Sequence, residues 1–238
     1  MFHTFFYEPI YNLLVFVLSV VPLHDIGTAI VVVTLIVKIV LLPINLSSLR
    51  TQYIMKKLEK EMGVIRELQK TNPQEAGKQM VSLYKREKVN PFSSFFGMLL
   101  QIPIFFALYF AFSKGFTADV ESLYSFVTFP ETLHTVAFGL FDVTQKNIIV
   151  ALLAGVSSYL LARRQTQGMV QKKEAHEESF QDHFMKSMQI QMLYVIPVIV
   201  FLSGVYLNSA LELYWLVSNV VSYGLDVYMK NKLAHLKH

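Results

Sequence analysis

An all-α membrane bundle of several spans is what this sequence predicts, on three observations. Of 238 residues, 53% are hydrophobic and only 16% are charged. The apolar residues collect into blocks close to the roughly 20 residues that a helix needs to cross a hydrocarbon core. Lysine and arginine are shared unequally among the segments between these blocks, as expected of loops on opposite sides of a bilayer.

Taken in order, the chain opens with Phe5 to Val21, an aromatic and apolar stretch that carries Tyr7, Glu8, Pro9, Tyr11 and Asn12 at its start. Those polar and interfacial residues predict a helix lying in the membrane surface, with Pro22 to Asp25 turning the chain into the first span. The alternative is a sixth span. The start has no basic n-region, small-residue cleavage site or lipobox cysteine, so no cleaved secretory signal is expected, and the lack of a transit peptide favours a bacterial membrane. Five spans follow, at about 26–45, 93–113, 146–162, 190–207 and 210–229.

The first span holds Lys38 in an otherwise apolar run, Ile26 to Ile44. A cation at that depth costs several kcal/mol and usually faces a protein interior or a wet cavity. Snorkelling to the headgroups is the competing reading, since Lys38 lies about two turns from the expected helix end at Asn45. Thr34, Lys38, Leu41 and Asn45 share one helical stripe. Ser94, Gly97 and Gln101 repeat the spacing in the second span, and Glu212, Trp215, Ser218, Asn219 and Ser222 do so in the last. Three polar stripes predict a shared hydrophilic concavity, with ordinary interhelical hydrogen bonding as the plainer account, above all for Gln101.

Between the first two spans, Leu46 to Asn90 contains ten Lys/Arg against five Asp/Glu, whereas Lys114 to Lys146 contains two against four. The first loop is therefore expected to be cytoplasmic and the second external, giving an N-out, C-in chain. Arg163, Arg164, Lys230, Lys232 and Lys237 agree with that alternation. Within the first loop, Leu49, Tyr53, Met55, Leu58, Met62, Ile65 and Leu68 recur at three- and four-residue steps, which predicts an amphipathic helix over Ser47 to Gln69. Thr71-Asn72-Pro73 ends it, and Gln74 to Lys88 forms a second, antiparallel helix. This hairpin is either a solvated connector or a docking arm, and Lys56, Lys57, Lys60, Arg66, Lys85 and Arg86 are its candidate partner-binding residues. The segment Gln165 to Ser187 mixes charges of both signs without an apolar stripe and is expected to be a mobile loop. The resulting division is an interfacial segment 1–25, a five-span core 26–229 with its hairpin 47–89, and a short basic tail 230–238.

Several chemistries find no support. Cysteine is absent, which excludes disulfides and thiolate sites. No phosphate-binding loop, HExxH motif or nucleophile-base set is present, so no cofactor, metal or catalytic residue is expected. The basic loops suit anionic lipid and call for no specific nucleic acid.

The blocks "TLIVKIVLLP" (Thr34 to Pro43), "LYKREKVNPF" with "LLQIPIFFALYFAF" (Leu83 to Phe112), "MLYVIPVIVF" and "LYWLVSNVVSYGLDVYM" (Leu213 to Met229) resemble, in that order, the YidC/Oxa/Alb family of membrane-protein insertases. The resemblance implies a five-span bundle with a hydrophilic groove open to the cytoplasm and to lipid and closed outside. It implies insertion or chaperoning of nascent membrane proteins in the bacterial plasma membrane, with the ribosome and a Sec-type translocon as further candidate partners. Lys38 stands where the family usually has arginine, which keeps the charge but loses the bidentate fork. By the same matching Thr34, Tyr214 and Trp215 would touch the passing substrate; Gln101, Ser218 and Asn219 join the candidate groove from the polar stripes. The family's large external domain and extended basic tail have no counterpart in these 238 residues. Two other classes compete on the residues alone: an assembly chaperone that does not insert its clients, and an ion or solute transporter using Lys38, against which stands the lack of an internal repeat.

Overall fold

The computed structural model describes residues 1–90, 92–113, 119–166, 187 and 190–235. They are mostly helical. In chain order the helices are α1 (Glu8–Val20), α2 (Ile26–Val40), α3 (Leu42–Lys57), α4 (Glu59–Thr71), α5 (Pro73–Arg86), α6 (Phe92–Ser113), α7 (Ile148–Thr166), α8 (Ile196–Tyr206) and α9 (Ser209–His235). A π-helical turn precedes α1 at His3–Tyr7 and another precedes α8 at Gln191–Val195. A two-stranded antiparallel hairpin, β1 (Val136–Ala137) and β2 (Phe141–Asp142), lies between α6 and α7.

The expected first span is bent. Helices α2 and α3 meet at 64° around Leu41. The cause is Pro43, which has no N–H for the carbonyl of Ile39 and whose ring crowds it. The expected amphipathic helix from Ser47 is likewise divided at Leu58, but there Leu58 N–H still reaches Ile54 O at 3.0 Å and Met62 N–H reaches Leu58 O at 2.9 Å, so this is a kink and not a turn. It lets Tyr53 face the bundle while Leu58, Met62 and Ile65 face α5, where Ala76 and Leu83 complete a small separate core. Asn72 accepts the Glu75 N–H at 3.1 Å and Pro73 starts α5, as the sequence predicts for this turn.

Of the described helices, α7 alone is by itself long and apolar enough to cross a membrane; α2 and α3 add a second if the bent pair counts as one span. Helix α8 is short, and α9 interrupts its apolar run with Glu212 and Asp226. Helix α9 also runs beyond 229 to His235, so the expected tail begins as helix. The loop expected over Gln165 to Ser187 falls for the most part outside the described residues.

The main core joins α1, α2, α6 and α9 through Leu14, Leu18, Ile30, Leu108, Phe112 and Leu211, all almost fully buried. Helices α7 and α8 instead expose Ile149, Leu152, Val156, Val198, Ile199 and Leu202, apolar side chains suited to lipid. Helix α1 buries one side and exposes Phe16 and Val20 on the other. Leu23 and His24 have φ of 59° and 50°, and this left-handed pair reverses the chain into α2, where Asp25 accepts the Thr28 N–H at 2.5 Å.

Between α6 and α7 the loop is tied down by polar groups. Asn12 donates to Glu8 O at 2.8 Å and Ser122 O at 2.7 Å and accepts from Tyr124 N–H at 2.7 Å, which satisfies its amide inside the fold. Tyr7 donates to Asp119 Oδ2 at 3.0 Å, and Tyr11 accepts from Asp119 N–H at 2.8 Å. Ile26 N–H reaches His134 O at 3.0 Å, and Ser209 Oγ donates to Gln145 O at 2.8 Å. These bonds cap one end of the bundle.

Candidate functional site

The three polar stripes meet, though not as one surface. Lys38 is 8% exposed, and its Nζ donates to Ser222 Oγ of α9 at 2.9 Å. The ammonium therefore points into the bundle. Among the described residues it faces a hydroxyl and no carboxylate. One turn earlier Thr34 is buried and returns its hydroxyl to Ile30 O at 2.6 Å, so its donor is spent within α2. Gln101 of α6 donates from Nε2 to the Tyr214 hydroxyl at 2.5 Å. Half-buried Trp215 lies 4.9 Å from the Phe105 ring, centroid to centroid. Lys38, Ser222, Gln101, Tyr214 and Trp215 thus join α2 and α6 to α9, and buried Ser218 lies between Tyr214 and Ser222 on that helix. Ser94 and Gly97 have no described side-chain surroundings.

Asn219 turns the other way. Its Nδ2 donates to Ser158 Oγ at 2.7 Å and Ser157 Oγ at 3.0 Å, both on α7. Glu212 and Asp226 lie seven residues to either side of it, so the three share a stripe that faces α7 and α8. Glu212 is fully buried: Oε1 accepts from Ser203 at 2.8 Å, and Oε2 has no hydrogen-bond partner among the described residues. Asp226 accepts from Arg164 of α7 and from Tyr53 of α3, the latter at 3.0 Å. Residues at three- and four-residue spacing can straddle two neighbouring helices, and here they do.

Tyr53, Arg164 and Asp226 are not among the site residues that the sequence singles out. An acid inside the last apolar block was the available signal. Burial, followed by the charge and hydrogen bond of Asp226, pushes the Tyr53 phenol up to about 12, so it stays a donor. Lys56 projects its Nζ 5.5 Å from the Tyr53 ring centre, and burial first of all lowers its pKa.

The candidate docking residues divide in the same way. Arg86 donates from Nη2 to both carboxylate oxygens of Glu61, at 2.9 and 2.7 Å, and from Nε to Glu87 at 3.2 Å, so it staples α5 to α4. This pair lowers the Glu61 carboxyl through its hydrogen bond. Lys57, Lys60 and Lys85 are exposed, Lys56 and Arg66 half-buried. Lys85 borders a shallow hollow on α5 lined by Gly77, Lys78, Val81 and Ser82.

Residues 17–236 match the family model described as "60Kd inner membrane protein". The chain belongs to this family. Among similar curated proteins, the Clostridium tetani "Membrane protein insertase YidC" is 29% identical over 211 residues, covering 88% of this chain and 83% of the relative. The protein of the same name from Magnetococcus marinus is 31% identical over 98% of this chain, and that from Geobacter metallireducens 29% over 89%. This chain spans only 37% and 34% of the length of those two. The matched range runs from α1 to the end of α9, so the Lys38 face and the α7–α9 seam both belong to the shared region.

Proposed function

We propose that the chain is a non-enzymatic membrane-protein insertase, and that the Lys38 face of α2, α6 and α9 is its substrate path. The observation that carries this reading is a buried ammonium whose described partner is a neutral hydroxyl, in a family whose curated relatives bear the insertase name. A cation held against a hydroxyl in a poorly solvated place retains attraction to spare for an incoming carboxylate. A hydrophilic segment crossing hydrocarbon leaves polar groups unsatisfied at several kcal/mol each, and a polar half-groove shortens that path. The substrate's apolar helix then moves sideways into lipid, where burial drives the process.

In this reading Thr34, Lys38, Gln101, Tyr214, Trp215 and Ser218 line the groove, while Asn219 braces its wall against α7. The core has five spans in a bacterial plasma membrane, N-out and C-in, with α1 in the outer interface and α4–α5 in the cytoplasm. The exposed Lys57, Lys60 and Lys85 face a cytoplasmic partner, a ribosome or a Sec-type channel among them. The capped end of the bundle is the external end, which keeps the path closed there.

Purified protein in liposomes tests this directly. The expected result is insertion of a short-tailed single-span substrate without nucleotide and without leakage of small solutes. Replacing Met55 to Tyr84 by a short linker should preserve that partner-free insertion and slow insertion in cells. Solute flux without insertion would turn the reading to a transporter, and binding without insertion to an assembly chaperone.

A further inference from the structure

We infer that Asp226 is a positioning residue: from within α9, and tied to the end of α7, it fixes the heading of α3, and with it the resting place of the hairpin α4–α5. The inference rests on the insertase reading only where transport is the readout.

The bend between α2 and α3 is a joint by construction. Pro43 has removed a backbone hydrogen bond there, so local structure alone holds the 64° angle weakly. Beyond the joint, α3 needs a tertiary contact to keep its direction. Packing along α6 supplies part of it, although Leu49 is the one apolar residue of α3 that is fully buried. A polar contact across the bundle is added by Tyr53, whose hydroxyl donates to Asp226 Oδ1 at 3.0 Å. The other carboxylate oxygen, Oδ2, takes the Arg164 Nε–H, and the Arg164 guanidinium lies 5.1 Å from the ring centre of Tyr223. Asp226 is 2% exposed, with both oxygens satisfied, so releasing either donor leaves a buried acceptor to be resolved.

One carboxylate therefore joins three helices whose residues are 173 and 62 positions apart in sequence. The lever is long. The hydrogen bonding that continues through Leu58 couples α4 to α3, so the hairpin follows α3. At 1.5 Å per residue the hairpin tip near Thr71 lies about 40 Å from the joint, and a change of heading of about 10° moves it by about 7 Å. Movement at the groove wall formed by α9 would reach the hairpin by the same route in reverse.

The absence of cysteine permits a clean test. Spin labels on Gln69→Cys and Asn231→Cys, both exposed positions, report the distance from hairpin tip to the end of α9 in lipid nanodiscs. Tyr53→Phe should at least double the width of that distribution while the bundle stays folded, with a thermal midpoint lowered by the one unsatisfied acceptor. Asp226→Asn should broaden it too, and Asp226→Glu, which keeps both acceptors, should hold it narrow. In the insertase assay Tyr53→Phe should then slow insertion in cells more than in liposomes. A Tyr53→Phe distribution that superimposes on the parent's overturns the inference, whatever Asp226→Asn does to folding and whether or not the chain inserts anything.

Discussion

Lys38→Leu and Lys38→Glu are expected to slow insertion of substrates with acidic external segments by about tenfold or more, and Lys38→Arg to retain the parent rate. Two unit charges 4 Å apart at an effective dielectric of 20 attract by about 4 kcal/mol. If about a third of that attraction survives in the rate-limiting step, the rate changes about tenfold. The glutamate variant should be the worse of the two, because it repels what lysine attracts. Substrates with neutral external segments should respond to neither substitution. Protease protection in liposomes reads both classes side by side. Equal rates for Lys38→Leu and Lys38→Arg on the acidic substrates would remove the charge from the mechanism.

Gly204→Val is expected to damage stability strongly. A Cβ at 204 would stand against Ala151 Cβ and 2.8 and 2.9 Å from Glu212 Cγ and Cδ, which closes the contact between α8 and both α7 and α9. Overpacking of this kind costs about 1–3 kcal/mol. Here Glu212 must also move, and its bond from Ser203 at 2.8 Å is at stake, so the total should reach about 3 kcal/mol. For a chain of this size that corresponds to a thermal midpoint lowered by about 6–12 °C. Gly204→Ala should fall between parent and valine. Scanning fluorimetry in detergent checks the series; a Gly204→Val midpoint within the scatter of the parent would mean that the helices part here without penalty.

Much of this architecture was legible in the residues, because its signals are local. Lys38 stands out as a charge in an apolar run, and the hairpin declares itself through its apolar periodicity and Asn72-Pro73. The bend at Leu41 also had its signal in Pro43, but a block read for hydropathy alone continues to Asn45. Other features depend on partners far away in sequence. Asn219 and Ser222 share a stripe on paper, yet one meets α7 and the other Lys38, since tertiary packing decides which neighbour a helical stripe addresses. The Tyr53–Asp226–Arg164 junction is of the same kind. The β-hairpin is too short to show alternation, and its one cue is Gly139, whose φ of 72° follows 55° at Phe138 in a tight reversal. The number of spans is the widest gap between reading and structure, because length and apolarity mark α7 clearly and the bent, short or charge-bearing helices less so.

Photo-crosslinking from position 215 to a stalled nascent membrane protein tests the central claim most directly, with exposed Ile149 of α7 as the comparison. A substrate path along α2, α6 and α9 predicts an adduct from Trp215 that moves along the nascent chain as it lengthens, and little or none from position 149. Equal adducts from the two positions, or none from 215 while the chain is being inserted, would contradict the path.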